Sequence, residues 1–243
     1  RAGIVTAISA EQVALAHRTM PDLELVTIPN GVDTAMFAPA DGRPARPFTI
    51  ICVARLIERK GQHHLLQAFA QLRATCAEPV RLIFIGTGDA EPQLRALANR
   101  LQLDETVHFK GFVSREHMPL VYRDADVFAL PSEQEGMSIA LLEAMASGLP
   151  VIVTETGGTA ELVTQGQNGD IVPWADVPGL TCALQRMMDA NDRQRMGQES
   201  RRRAVPFGWA ALAARYLELC ARVAFPSVAD RRTSCPVAAE VTP

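Results

Sequence analysis

The chain has 243 residues, enough for one large α/β domain or two small ones. Hydrophobic residues make up 48% and charged residues 21%, the balance of a globular fold that needs neither disulfides nor metals to hold a core. Its 24 Lys and Arg against 27 Asp and Glu leave a net charge of −3, which offers no electrostatic footprint for nucleic acid.

Glu135, Glu143 and Glu155 interrupt the most apolar region, so no run reaches the length of about 18 residues that a membrane span requires. The chain begins at Arg1 with no charged-then-apolar leader, so no secretory signal is read. A missing initiator Met leads us to expect part of a longer polypeptide. Five scattered cysteines (Cys52, Cys76, Cys182, Cys220 and Cys235) form no C-x-x-C pair. Reduced thiols in a cytoplasmic compartment are the expectation.

In chain order, residues 4–8 read as a strand and 10–19 as a short helix, joined to the rest by the turn-forming Ile28-Pro29-Asn30-Gly31. Continuous apolar, β-branched runs then predict strands at 48–54, 80–86, 106–111, 126–130, 150–154 and 169–173, as for strands buried on both faces of a parallel sheet. Amphipathic stretches between and after them predict helices at 62–76, 91–103, 117–124, 139–147, 159–165, 177–190, 192–203 and 209–223. In the first of these, Leu65, Phe69, Leu72 and Cys76 repeat at helical spacing. Strands alternating with crossover helices imply an α/β, Rossmann-like, doubly wound parallel sheet. Residues 226–243 lack periodicity and read as a disordered tail. No internal repeat stands out.

Ligands of such sheets bind at the carboxyl ends of the strands, near helix N-termini. Three predicted loops lie there. Ala54 to Gly61 carries Arg55, Arg59 and Lys60 ahead of a helix, which is either an anion site or a solvated basic turn. Pro131 to Glu143 puts Glu135 before a helix and Glu143 inside it, roughly 12 Å apart at helical rise. That is too far for a retaining-hydrolase carboxylate pair, which needs about 5–5.5 Å. It suits a ligand with a hydroxyl-rich group at each end and an anion on the Gly136, Met137 and Ser138 amides, the outline of a nucleotide sugar. The alternative is a loop glutamate and an unrelated surface glutamate. Gly157-Gly158, in the third loop, permits close backbone approach or simply a tight turn.

Three other patterns lead elsewhere. Gly86-Thr87-Gly88 lacks the third glycine and the later acidic residue of a dinucleotide fingerprint. Asp124-Ala125-Asp126 has the look of a metal-bound sugar-nucleotide motif but begins a strand, at the far end from the crevice, so Asp126 is read as a turn or capping residue. His63 and His64, adjacent on a predicted helix, point about 100° apart and make a poor metal pair.

Taken together, residues 26–222 resemble the C-terminal half of a GT-B-fold retaining glycosyltransferase of family 4. The resemblance rests on a series of motifs in order. It starts with Ile28-Pro29-Asn30-Gly31-Val32-Asp33 with Phe37 and Pro39, Arg55-Leu56 with Lys60-Gly61, and Gly86-Thr87-Gly88. Gly111-Phe112-Val113, Ala125-Asp126 to Pro131-Ser132, and Glu135-x7-Glu143 with Ala144-Met145-Ala146 follow. Gly148-Leu149-Pro150-Val151 and Gly157-Gly158 with Glu161 complete it. Ala54 departs from the glycine often found before the arginine.

The resemblance implies a site that binds a nucleotide-diphosphate sugar such as a UDP- or GDP-sugar, with no metal or other cofactor. Arg55 and Lys60 would hold the diphosphate and Glu135 would face the donor sugar. Glu143 would bind ribose, Gly136, Met137, Ser138 and Ile139 the phosphate or sugar, and Val113 and Gly86 the nucleobase pocket. It further implies retention by same-face displacement, and hexosyl transfer to an acceptor that the sequence does not identify. Residues 1–25 would be a remnant of the N-terminal acceptor domain, 26–205 the nucleotide-sugar domain and 206–225 the crossover helix. Any contact with the inner face of a membrane would fall to the absent half, and the piece alone would turn over little or nothing. Two rivals share these features: a non-catalytic sugar-nucleotide-binding partner of a separate catalytic chain, and a GT-B-fold sugar-nucleotide epimerase. A phosphorylase would need a lysine holding pyridoxal phosphate, and Lys60 and Lys110 lack that context.

Overall fold

A computed structural model describes residues 4–39 and 46–224, and the 226–243 segment read as a tail lies outside them. The chain opens with β1 (Val5–Ala7), α1 (Ala10–Thr19) and β2 (Leu25–Thr27), the two strands pairing in parallel as a small separate sheet. Ser9 starts α1 by accepting the Gln12 amide on its hydroxyl. β2 has no counterpart in the sequence reading, because three half-buried residues show no period.

The main sheet contains β3 (Phe48–Val53), β4 (Val80–Ile85), β5 (Val107–Phe109), β6 (Val127–Leu130), β7 (Val151–Thr154) and β8 (Gly169–Val172). All six are parallel, in the order β5-β4-β3-β6-β7-β8, so the direction of winding reverses between β3 and β6. This is the expected Rossmann-like topology. All four residues of β6 and of β7 are buried, which explains why these strands read as unbroken apolar runs.

On the sheet, α2 (Gln62–Thr75) packs between α3 (Glu91–Arg100) and α7 (Val177–Arg186), and α5 (Ile139–Ala146) packs on α8 (Ala190–Ala204). α4 (Met118–Arg123) and α6 (Thr159–Leu162) are short. α6 stops well before the predicted 165, since Asn168 accepts the Thr164 amide and donates to Leu162 O, turning the chain into β8. Phe69, Phe84, Phe128, Ile50, Ile51 and Leu65 are fully buried around the sheet, each contributing roughly 1.5–3 kcal/mol on burial. Among the described residues no helix is long and apolar enough to cross a membrane.

The opening segment is fastened to the sheet domain by an arginine of α8. Arg201 donates to Phe37 O and Ala146 O at 2.8 Å each and to Thr34 O at 2.9 Å. Arg201→Met leaves these carbonyls unpaired and is expected to destabilise the chain by about 2 kcal/mol in urea denaturation. Loss of less than about 0.5 kcal/mol, the range of an ordinary surface change, would contradict that role. α9 (Trp209–Ala224) then runs over the same segment, with Leu212 buried against Gly31 and Arg215 donating to Thr27 O. Trp209 and Tyr216 remain 48% and 44% exposed.

Candidate active site at the strand carboxyl ends

The loops after β3 and β6 flank the point where the strand order reverses, and with the loop after β7 they enclose a cleft of about 520 Å³. Arg55, Arg59 and Lys60 enter it from the first loop, Glu133 and Glu135 from the second, Glu155 from the third. A hollow of about 620 Å³ between Glu58 and α3 is larger, but it lies over helix flanks such as Leu94 and Leu97. Position at the switch point decides between them, and the smaller cleft carries the convergent polar groups.

Lys60 ends a 3-10 turn (Glu58–Lys60) that leads into α2, and its ammonium donates to Glu135 Oε1 at 2.5 Å. Ser132 Oγ donates to the same oxygen at 2.8 Å. The Ser132 carbonyl in turn accepts the Thr154 hydroxyl from the end of β7. The Glu133 amide donates to Arg59 O at 2.8 Å, joining the basic turn to the acidic loop. Thus two residues 75 apart in the chain become one charge pair, largely covered by protein. Arg55 and Arg59 point no guanidinium hydrogen bond at any described residue, and so are available to a ligand anion. Burial beneath this pair pushes the Cys52 thiol up to about 12, against the pull of Lys60, which keeps it protonated and unreactive.

α5 begins just beyond, where the Ser138 hydroxyl accepts the Leu141 amide as its cap. The Gly136, Met137, Ser138 and Ile139 amides have no acceptor among the described residues, whereas the Gly136 and Met137 carbonyls are taken by Gly158 N and Asn30 Nδ2. Unpaired amides at the head of a helix are what an anion needs. On the next turn Glu143 Oε2 accepts the Tyr122 hydroxyl at 2.9 Å. Tyr122 is fully buried, and burial together with Glu143 holds its phenol well above its ordinary value, so it stays a donor.

Burial likewise raises the Glu143 carboxyl above 4.5, opposed by the Tyr122 hydrogen bond and the Arg115 charge. A carboxyl with a raised folded-state pKa aids folding while protonated, fully below the unfolded value, and that aid is lost as pH rises through the folded value. At neutral pH ionised Glu143 therefore works against stability. Glu143→Gln, which mimics the protonated form, is expected to melt higher than wild type at pH 7.5, the difference shrinking towards pH 4. A lower melting temperature at pH 7.5 would show that the carboxylate is favoured in the fold.

The predicted residues fall into two groups. Arg55, Lys60, Glu135 and Gly136 line the cleft together. Glu143 lies on α5 beside Tyr122, while Gly86 and Val113 follow β4 and β5. Gly86 has its own backbone reason to be glycine: at φ +124° a Cβ would stand 2.1 Å from Ala54 O. Its amide is already given to Gly111 O. Asp126 does not cap a turn; its carboxylate takes the Thr49 amide and the Arg46 guanidinium, tying β6 to β3 at the end opposite the cleft. His63 and His64 turn their rings together, centroids 3.8 Å apart, against Trp174. Among the described residues no three His, Cys, Asp or Glu are grouped to hold a metal. Sequence reasoning did not foresee the opposite wall, where Glu11, Gln12 and Leu15 of α1 face the cleft. The polar side of α1 gave no signal of what it would meet.

Residues 37–203 match the family described as glycosyl transferases group 1. MMP alpha-(1->4)-mannosyltransferase of Mycolicibacterium hassiacum is 34% identical over 227 residues, covering 90% of this chain and 54% of that protein. A GDP-mannose-dependent alpha-(1-6)-phosphatidylinositol monomannoside mannosyltransferase of Mycolicibacterium smegmatis is 33% identical, covering 82% and 56%. The crystal structure of the C-terminal domain of a glycosyl transferase group 1 family protein (LpcC) from Francisella tularensis superposes with a TM-score of 0.66 at 25% identity, over 72% of this chain and 97% of that one. The chain spans about half the length of these curated relatives, and its sheet is that of one half of a GT-B fold. Fold and sequence agree: the chain belongs to the glycosyl transferases group 1 family, GT4, and carries one half of its GT-B fold.

Proposed function

We propose that this chain binds the donor for a retaining hexosyltransferase that moves a sugar from a nucleoside diphosphate to an acceptor. The observation that carries the reading is the cleft at the switch point, with free guanidinium groups on one loop, carboxylates on the next and unpaired amides at the head of α5. Arg55 and Lys60 hold the diphosphate and stabilise the charge that grows on it as the glycosidic bond breaks, which is usually a large part of catalysis. Glu135 accepts donor-sugar hydroxyls and Glu143 those of the ribose. The amides of Gly136 to Ile139 take the β-phosphate or the sugar, and the backbone near Gly86 and Val113 borders the nucleobase. Residues 1–25 with β2, and the exposed side of α9, belong against an acceptor domain in the whole enzyme.

GDP-mannose is the first donor to test, since one relative is named for its dependence on it. In calorimetry against GDP-mannose, UDP-glucose and ADP-glucose, one nucleotide sugar is expected to bind clearly better than the others, with or without EDTA. A chain that binds none of them, nor GDP, UDP or ADP, would overturn the reading.

A further inference from the structure

Resting on that reading of Glu135, we infer that Ser132 is a positioning residue of the donor site, whose hydroxyl holds the Glu135 carboxylate towards the sugar once Lys60 has turned to the diphosphate. A glutamate side chain has several rotatable bonds and must be held if it is to recognise particular hydroxyls. Two donors hold it here, both on Oε1: the Lys60 ammonium and the Ser132 hydroxyl. The ammonium is the group that a bound diphosphate competes for, so in the complex it is shared or withdrawn. Among the described residues, Glu135 Oε1 is the acceptor that the Ser132 hydroxyl finds. Ser132 is fully buried, and its carbonyl is pinned by Thr154, also buried, from the neighbouring strand end. Both donors occupy Oε1, and among the described residues none donates to Oε2, which leaves it for a ligand hydroxyl. A purely structural hydroxyl ordinarily satisfies itself on a backbone carbonyl, as Thr154 does; Ser132 spends its proton on a carboxylate of the cleft.

The test uses the 243-residue chain, titrated with GDP and with GDP-mannose, or with UDP and UDP-glucose if those bind better. The quantity read is the ratio of nucleotide-sugar affinity to nucleoside-diphosphate affinity. Ser132→Ala is expected to lower that ratio about five- to tenfold while diphosphate affinity stays within twofold of wild type. Ser132→Thr, which keeps the hydroxyl, is expected to recover it. Glu135→Ala is expected to lower the ratio equally, and Ser132→Ala in that background to lower it no further, since the two act as one unit. Thr154→Val removes the group that pins the Ser132 carbonyl and is expected to reduce the ratio as well, which covers an Ala variant too unstable to titrate. If Glu135→Ala leaves the ratio unchanged, the role given to Glu135 fails and the inference falls with it. If Glu135→Ala lowers the ratio but neither Ser132→Ala nor Thr154→Val does, the donor reading stands and the positioning role is overturned. Equal losses of diphosphate and nucleotide-sugar affinity would assign Ser132 to folding alone and overturn it too.

Discussion

Lys60→Met is expected to weaken nucleoside-diphosphate binding by about 1.5–3 kcal/mol, roughly ten- to 150-fold, and to destabilise the free chain as well. The two losses have separate causes. Binding falls because an ammonium that meets the diphosphate is gone. Stability falls because the Glu135 carboxyl loses its ion-pair partner in a site where its side chain is only 14% exposed, with Ser132 as its remaining donor among the described residues. Breaking a buried pair from one side costs about 3–5 kcal/mol, and the residual exposure places this pair at or below the lower end. The double variant Lys60→Met/Glu135→Gln removes both charges, and is expected to regain most of the stability without regaining affinity. Arg55→Met supplies the contrast. Its guanidinium has no partner among the described residues, so stability should stay within about 0.5 kcal/mol while diphosphate affinity falls. Urea denaturation and calorimetry on the same four proteins check all of this. Lys60→Met with wild-type affinity would remove Lys60 from the diphosphate site.

These expectations depend on geometry of which the sequence shows only part. The sheet was legible because β6 and β7 are buried on both faces, so Val127 to Leu130 and Val151 to Thr154 stand out as unbroken apolar runs. The loops were legible because strand carboxyl ends are where ligands bind, and Arg55, Lys60 and Glu135 follow such ends. What the sequence could not express is pairing across distance. Nothing local in the chain says that Lys60 meets Glu135, that Tyr122 meets Glu143, or that Arg201 gathers three carbonyls. The α1 wall was hidden for the same reason: Glu11 and Gln12 read as an ordinary polar helix face until the fold sets them across from Gly136. Asp126 shows the converse, a motif-like acidic residue whose role is to bind strand β3 rather than a ligand.

Gly157→Ala is expected to damage both the fold and the site, through a single added methyl group. Gly157 follows β7 with φ +51°, a conformation that costs an L-residue about 1–3 kcal/mol. An added Cβ would stand 1.8 Å from Glu135 O and 2.5 Å from Gly136 O. Both atoms are backbone, so no side-chain rotation relieves the overlap; one of the two loops must move. Overpacking of this kind adds about 1–3 kcal/mol, giving a total destabilisation of roughly 2–6 kcal/mol. The movement also has a direction. Gly158 N donates to Gly136 O at 2.5 Å, so the loops are already in close contact, and pushing them apart carries Glu135 away from Lys60 and Ser132. It also tilts the Gly136 to Ile139 amides that open α5. Nucleotide-sugar affinity should therefore fall at least tenfold even at temperatures where the variant is fully folded. If Gly157→Ala folds with wild-type stability and keeps donor affinity, the contact between the β7 loop and the Glu135 carbonyl does not set the geometry of this site.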